Sequence, residues 1–196
     1  MVIWCYIVAL VLTAATYFLW HSYVIRDFNG HISLGSVWSV LTSSVAVAVI
    51  LYKLFNKFFW RIPLVKKLLA IEIPYVGGEW VGEMWSSYTE SSQPIEMEFI
   101  QTYTGIRIEE KSAHQRSVSI TAEILTEHEG KVRIVYLYKT TPTERRPDYA
   151  PHEGAVILNV HDNGKLITGE YFNDPMQYQD RKATWGEYIN VHRKEK

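Results

Sequence analysis

Cysteine is nearly absent from this sequence. The lone Cys5 sits inside an apolar run, which excludes a disulfide framework and a cysteine-based zinc site. Catalytic signatures are missing too: there is no HExxH, no GxxxxGKS/T, no GxSxG and no acid–histidine cluster at metal spacing. Three of the five histidines beyond residue 60 (His114, His128, His152, His161, His192) fall in or beside expected turns, where a lone imidazole is ordinarily just solvated. The carboxylate pairs Glu96/Glu98 and Glu109/Glu110 read as outward strand faces. The expectation is a protein that is not an enzyme and that carries no metal and no cofactor.

Charge is scarce at the start. Up to Trp60 only Arg26, Asp27, Lys53 and Lys57 are charged, whereas Arg61 to Lys196 holds 17 Lys+Arg against 20 Asp+Glu. No excess of basic residues is present to meet a polyphosphate backbone, so DNA and RNA are not expected partners. A small anionic ligand held by a few well-placed cations remains compatible.

What fills the uncharged start is two apolar runs, Val2 to Ile25 and Ile32 to Tyr52. Each reaches the roughly 20 residues that carry a helix across a ~30 Å hydrocarbon core. Trp4, Tyr6, Tyr17, Trp20, Tyr23, Tyr52 and Trp60 cluster toward the ends, where amphipathic rings favour the interface. The first run lacks the basic flank of a cleaved signal peptide. Lys53, Lys57, Arg61, Lys66 and Lys67 follow the second run, against a single arginine between the two. The positive-inside rule therefore places the N-terminus and the C-terminal domain in the cytoplasm. Ser39 with Ser43, and Ser44 with Ala48, put small residues on one helix face, suited to packing within the hairpin or between copies. The division expected is 1–60 as a two-helix transmembrane hairpin, 61–76 as a basic juxtamembrane connector and 77–196 as a cytoplasmic ligand-binding domain.

Past Pro74 the period of the sequence becomes two. Turn residues cut it into eight short alternating runs, with Gly130 and Gly164 in tight hairpins and no convincing amphipathic helix among them. The fold class expected is all-β, an eight-stranded antiparallel, lipocalin-like closed barrel preceded by two transmembrane α-helices. Gly-x-Trp in the first strand lets the chain bend while one large ring plugs the barrel floor. Gly78, Trp80 and Gly82 fit this role, with Arg193 from the last strand over the indole.

An eight-stranded barrel is either filled by side chains or holds one small ligand. The long connection Thr140 to Gly154 carries three prolines and the pair Arg145–Arg146, whose planar forks suit phosphate; a solvated basic pair is the plainer alternative. Tyr136, Tyr138, Tyr171, Trp185 and Tyr188 lie in strands, where they either stack on bases or fill the barrel. Two purines clasped by such rings, with two phosphates on arginine, make a cyclic dinucleotide pocket. That pocket calls for inward cations such as Arg107 or Arg133. An apolar lining would instead fit a membrane-tethered, lipocalin-like carrier of a lipid, and a full barrel would be an interaction module.

Two spans, a basic stretch, "IPYVGGEWVGEM" and strands ending "LITGEYFND…RKATWGEYINVHR" resemble the two-transmembrane β-barrel effectors of cyclic-oligonucleotide-based antiphage signalling (CBASS). The pieces that carry the likeness are "GGEWVGE", "HEGAVIL" around His152 and Gly154, "GEY" at Gly169 to Tyr171, and Thr184 with Gly186. Gly-Glu-Trp stands where Gly-Thr-Trp is commoner, and Thr-Thr-Pro follows Lys139 where Asn before Pro is expected. The resemblance implies that the barrel binds a cyclic oligonucleotide, with a dinucleotide the form expected, and with His152, Tyr171 and Thr184 among the contacts. It also implies ligand-driven self-association of a multi-pass bacterial inner-membrane protein. Disruption of the bilayer by the clustered hairpins then kills the infected cell.

Overall fold

The computed structural model describes residues 14–18, 20, 34–126, 131–143, 151–162, 164–173 and 184–195, with backbone alone at 34–37, 39–41 and 44. The chain divides into two compact units, Met1–Trp60 and Arg61–Lys196. In the first, residues 14–18 are helical and helix α1 spans Leu34–Lys57, across most of the second apolar run. Most of the expected first span lies outside the described residues. Among the described residues, no helix is long and apolar enough to cross a membrane.

The second unit opens with a short helix, α2 (Pro63–Leu68), started by Pro63 at its first turn. Eight strands follow: β1 (Gly78–Ser86), β2 (Ser91–Gln101), β3 (Ile106–Lys111), β4 (Gln115–Thr126), β5 (Val132–Pro142), β6 (His152–His161), β7 (Leu166–Asn173) and β8 (Thr184–Arg193). Each pairs antiparallel with the next, and β1 pairs with β8, so the sheet closes into a barrel. Burial alternates along the strands, as a wet outer face and a packed inner face require.

Closure needs bends, and the ladder supplies them as register shifts. β1 slips against β8 between Val81 and Glu83, β4 against β5 between Ser119 and Thr121, and β7 against β8 between Ile167 and Gly169. At Gly82 a Cβ would lie 2.8 Å from the Val191 Cα, so the two backbones approach closer there than a side chain permits.

One end of the barrel is a closed floor. Trp80 is fully buried, its Nε1–H donates to the Val76 carbonyl at 2.8 Å, and its ring meets Phe99 edge-on at 5.8 Å. The Arg193 guanidinium stands 5.0 Å from the indole and donates to the carbonyls of Gly77 and Tyr75, each at 2.8 Å. Gln101, a residue without a sequence signal, completes the floor. Its Oε1 accepts from the N–H groups of Val76 and Gly77, and its Nε2 donates to the Pro74 carbonyl. Arg61 reaches the same place, donating to the Gln101 carbonyl at 3.0 Å. The segment 61–77 is thus stitched beneath the floor. The far end lies opposite, where β5 and β7 finish and β6 and β8 begin.

Candidate ligand site inside the barrel

Inner residues near the floor are apolar: Phe99, Ile108, Ile134, Leu158, Ile167 and Val191 are all buried. Toward the far end the lining changes. Tyr136 and Tyr138 come from β5, Tyr171 from β7, Tyr188 from β8 and Glu110 from β3, and all five are buried. Rings meet edge-on in the pairs Tyr136–Tyr138 at 6.3 Å, Tyr171–Tyr188 at 6.0 Å and Tyr138–His152 at 6.1 Å.

Three of these tyrosines lie directly across the ladder from a glycine: Tyr138 from Gly154, Tyr188 from Gly169 and Tyr171 from Gly186. A Cβ on Gly154 would land 2.6 Å from the Tyr138 ring, and one on Gly186 would land 2.3 Å from the Tyr171 ring. The rings therefore lie against bare backbone. This gives the "HEG" and Thr-x-Gly pieces a physical purpose, since Gly154 and Gly186 each seat a neighbouring strand's phenol, while Gly169 of "GEY" lets β7 approach Leu158 and the Ile157 carbonyl on β6.

Glu110 is the centre of the polar half. The Tyr188 hydroxyl reaches across the lumen and donates to Glu110 Oε2 at 2.6 Å. Burial in a low-dielectric interior disfavours the charged carboxylate and raises Glu110 to about 7, against a partial opposing effect of the Tyr188 bond. Burial also pushes all four phenols up, with Glu110's charge adding to the effect, so they stay neutral donors. The Tyr136 hydroxyl lies near that of Tyr188 without the geometry of a hydrogen bond and has no partner among the described residues. At the rim, Ser117 Oγ and Thr140 Oγ1 are 2.8 Å apart, and Asn173 Oδ1 accepts from the Thr184 N–H and hydroxyl.

The residues singled out from sequence divide in two. Tyr138, His152, Tyr171, Thr184 and Tyr188 come together toward the far end. Arg107 and Arg133 do not point inward as expected. They are exposed on the outer face, Arg107 paired with Glu109 at 2.8 Å and Arg133 donating to Asn159 at 3.2 Å. The reason is phase: Ile108 and Ile134 take the inner positions next to them. Trp185 is likewise outside, against Trp85 with ring centroids 5.1 Å apart. Arg145 and Arg146 lie outside the described residues. Glu110 corrects the reading of Glu109 and Glu110 as an outward pair, because neighbours in a strand face opposite ways and only Glu109 is outside.

Among the described residues no group of histidine, cysteine or carboxylate side chains is placed to hold a metal. No lysine or arginine is among the buried described residues either. The polar half of the lumen offers phenols, hydroxyls and one carboxyl, a set that hydrogen-bonds and stacks.

The model of the Cap15 cyclic dinucleotide receptor domain matches residues 71–189, which takes in Trp80 and Gln101 of the floor and seven of the eight strands whole. The chain is also 27% identical, over 159 residues, to CD-NTase-associated protein 15 of Yersinia aleksiciae; the alignment covers 81% of this chain and 72% of that relative. Matched over more than half its length, and with the eight-stranded closed barrel that its sequence led us to expect, the chain belongs to the Cap15 cyclic dinucleotide receptor family of CBASS effectors.

Proposed function

We propose that the barrel binds a cyclic dinucleotide through the end opposite its floor, with a base among the interior tyrosines and the phosphates at the rim. The observation that carries this reading is the polar half-lumen of four buried phenols and Glu110 above an apolar floor, in a chain of this family. Such a lining suits stacking and hydrogen bonding and runs against the alternative of a lipid carrier, whose cavity would be apolar. Arg145 and Arg146 belong to the connection between Pro142 and His152, both rim residues, and are the candidate phosphate cations.

In the same reading the two apolar runs form a transmembrane hairpin of the bacterial inner membrane, with N-terminus and barrel cytoplasmic. Described side chains of α1 support it: Trp38, Val45, Val49, Ile50 and Tyr52 are all exposed, as in a helix whose surroundings are apolar. Ligand binding then favours self-association, clustered hairpins disrupt the membrane, and the infected cell dies. The ligand must bind the assembled state better than the single copy, because only differential affinity shifts such an equilibrium. The chain acts as a receptor, not an enzyme, and needs no cofactor.

Thermal unfolding of the full chain in detergent, against a panel of cyclic di- and trinucleotides, tests the binding step. A cognate ligand at a hundredfold its Kd stabilises by about 2.7 kcal/mol, a rise of several degrees in Tm. No shift with any member of the panel would overturn the receptor reading. Deleting residues 1–60 separates the membrane step. Toxicity in cells that make the ligand is expected to vanish while binding persists, and a barrel still toxic without the hairpin would refute its role.

A further inference from the structure

Two features of the inner lumen are left over once the fold is accounted for. Glu110 is a buried carboxyl that accepts from the Tyr188 hydroxyl. A carboxylate has room for several donors, and an ionised one in a protein interior is costly without them. Tyr136 is 3% exposed, and its hydroxyl has no partner among the described residues. A buried hydroxyl left so would be better replaced by phenylalanine if packing were its whole purpose. One atom wants a donor, the other wants an acceptor, and both are buried in the same polar half of the barrel.

A phosphodiester does not answer this pair. It offers acceptors alone, and beside an ionised Glu110 its charge repels the carboxylate with no buried lysine or arginine among the described residues to offset it. A nucleobase edge does answer it, since donors and acceptors alternate along it. The ring N–H of uracil or guanine is far more acidic than an exocyclic amine, so it forms the stronger charge-assisted bond to a carboxylate. In both bases a carbonyl oxygen flanks that N–H, where a phenol can donate.

Resting on the receptor reading above, we propose that Glu110 and Tyr136 together read the lactam edge of one base of the ligand. Glu110 accepts from the ring N–H, and Tyr136 donates to the adjacent carbonyl. Tyr188, already bonded to Glu110, is a positioning residue that holds the carboxyl in place. The pair selects a uracil- or guanine-containing cyclic dinucleotide over its adenine and cytosine counterparts.

The test is calorimetric titration of the full chain in detergent with cyclic di-UMP, di-GMP, di-AMP and di-CMP and with mixed dinucleotides, followed by analogues of the best binder methylated at the ring nitrogen. The best binder is expected to contain uracil or guanine, and ring-nitrogen methylation should weaken it by about ten- to a hundredfold, the range for a hydrogen bond to a charged group. Tyr136→Phe should weaken the parent ligand severalfold while leaving the ligand-free Tm unchanged or higher, which a merely structural tyrosine would not do. Glu110→Gln should shrink the penalty for methylation. If a cyclic dinucleotide binds and both variants keep its affinity and the ranking of bases, the edge-reading pair is wrong and the receptor reading stands. A best binder with only adenine or cytosine also refutes the pair. If no cyclic dinucleotide binds the unaltered chain, the receptor reading fails and the pair fails with it.

Discussion

Trp80→Ala is expected to remove about 3–5 kcal/mol of barrel stability, the usual cost of emptying a fully buried tryptophan site. A domain of this kind is stable by about 5–15 kcal/mol in all, so the variant sits near unfolding at ambient temperature. Area alone is not the reason. The indole meets Phe99 edge-on, bonds the Val76 carbonyl that crosses the floor, and offers its face to Arg193. Removing it leaves a void that strand backbones cannot close, because the β1–β8 ladder on that side is fixed by Trp80 opposite Arg193. Denaturant titration followed by far-ultraviolet circular dichroism measures the loss. A cycle with Arg193→Ala isolates the cation–π contribution, expected at about 0.5–2 kcal/mol. A loss under about 1 kcal/mol would mean that the floor is not what holds the sheet closed.

Glu110→Gln is expected to do the opposite at alkaline pH. In the folded chain the carboxyl is raised from its ordinary 4.5 to about 7, so the folded state holds its proton more tightly than the unfolded one. Stability is therefore greatest below about 4.5 as far as this group is concerned, falls as the pH rises toward 7, and is level above it. The full fall is about 3 kcal/mol. Tyr136, Tyr138, Tyr171 and Tyr188 titrate above this window, and the cross-strand neighbours Met97 and Ser117 do not titrate. The neutral amide still accepts the Tyr188 hydrogen bond. Urea denaturation of both proteins at pH 5 and pH 8 should show the variant gaining on the parent by about 2.5 kcal/mol between the two. A difference that does not change with pH would mean that the folded state does not keep this carboxyl uncharged.

The strands were legible because alternation and turn residues agree along the whole of the second unit. The floor was legible in part, since Gly-x-Trp and a late arginine name Trp80 and Arg193 before any coordinates do. Phase was harder. Ile106 and Ile108 put Arg107 outside and carry the inner phase on to Glu110, a signal present in the sequence but masked by the adjacent carboxylate of Glu109. In β8 alternation misleads: Tyr188 and Val191 both face inward although they are three apart, because the chain turns through a positive φ at Asn190. The register shift of β1 at Gly82 against the same stretch is a property of two strands, which neither strand's sequence reveals. Gln101 was invisible for a similar reason, since its three hydrogen bonds all go to a segment 24 or more residues away.

The shortest ladder in the barrel joins β3 to β4, where Glu109–Lys111 meets Arg116–Val118 and the Ile108 N–H turns to the Ser119 hydroxyl. Outside, Arg116 clasps Glu109 across it, an exposed ion pair of small worth. A closed sheet breathes where its stitching is shortest, and Glu110 rides on that seam, opposite Ser117. The bond from Tyr188 already ties the loose side of the cylinder to its firm side. A guest that engaged Glu110 together with the tyrosines of β5, β7 and β8 would act as an internal rivet, turning a flexing cylinder into a stiff one without moving any strand far. Such a receptor can announce occupancy by how rigid it is as well as by what shape it takes.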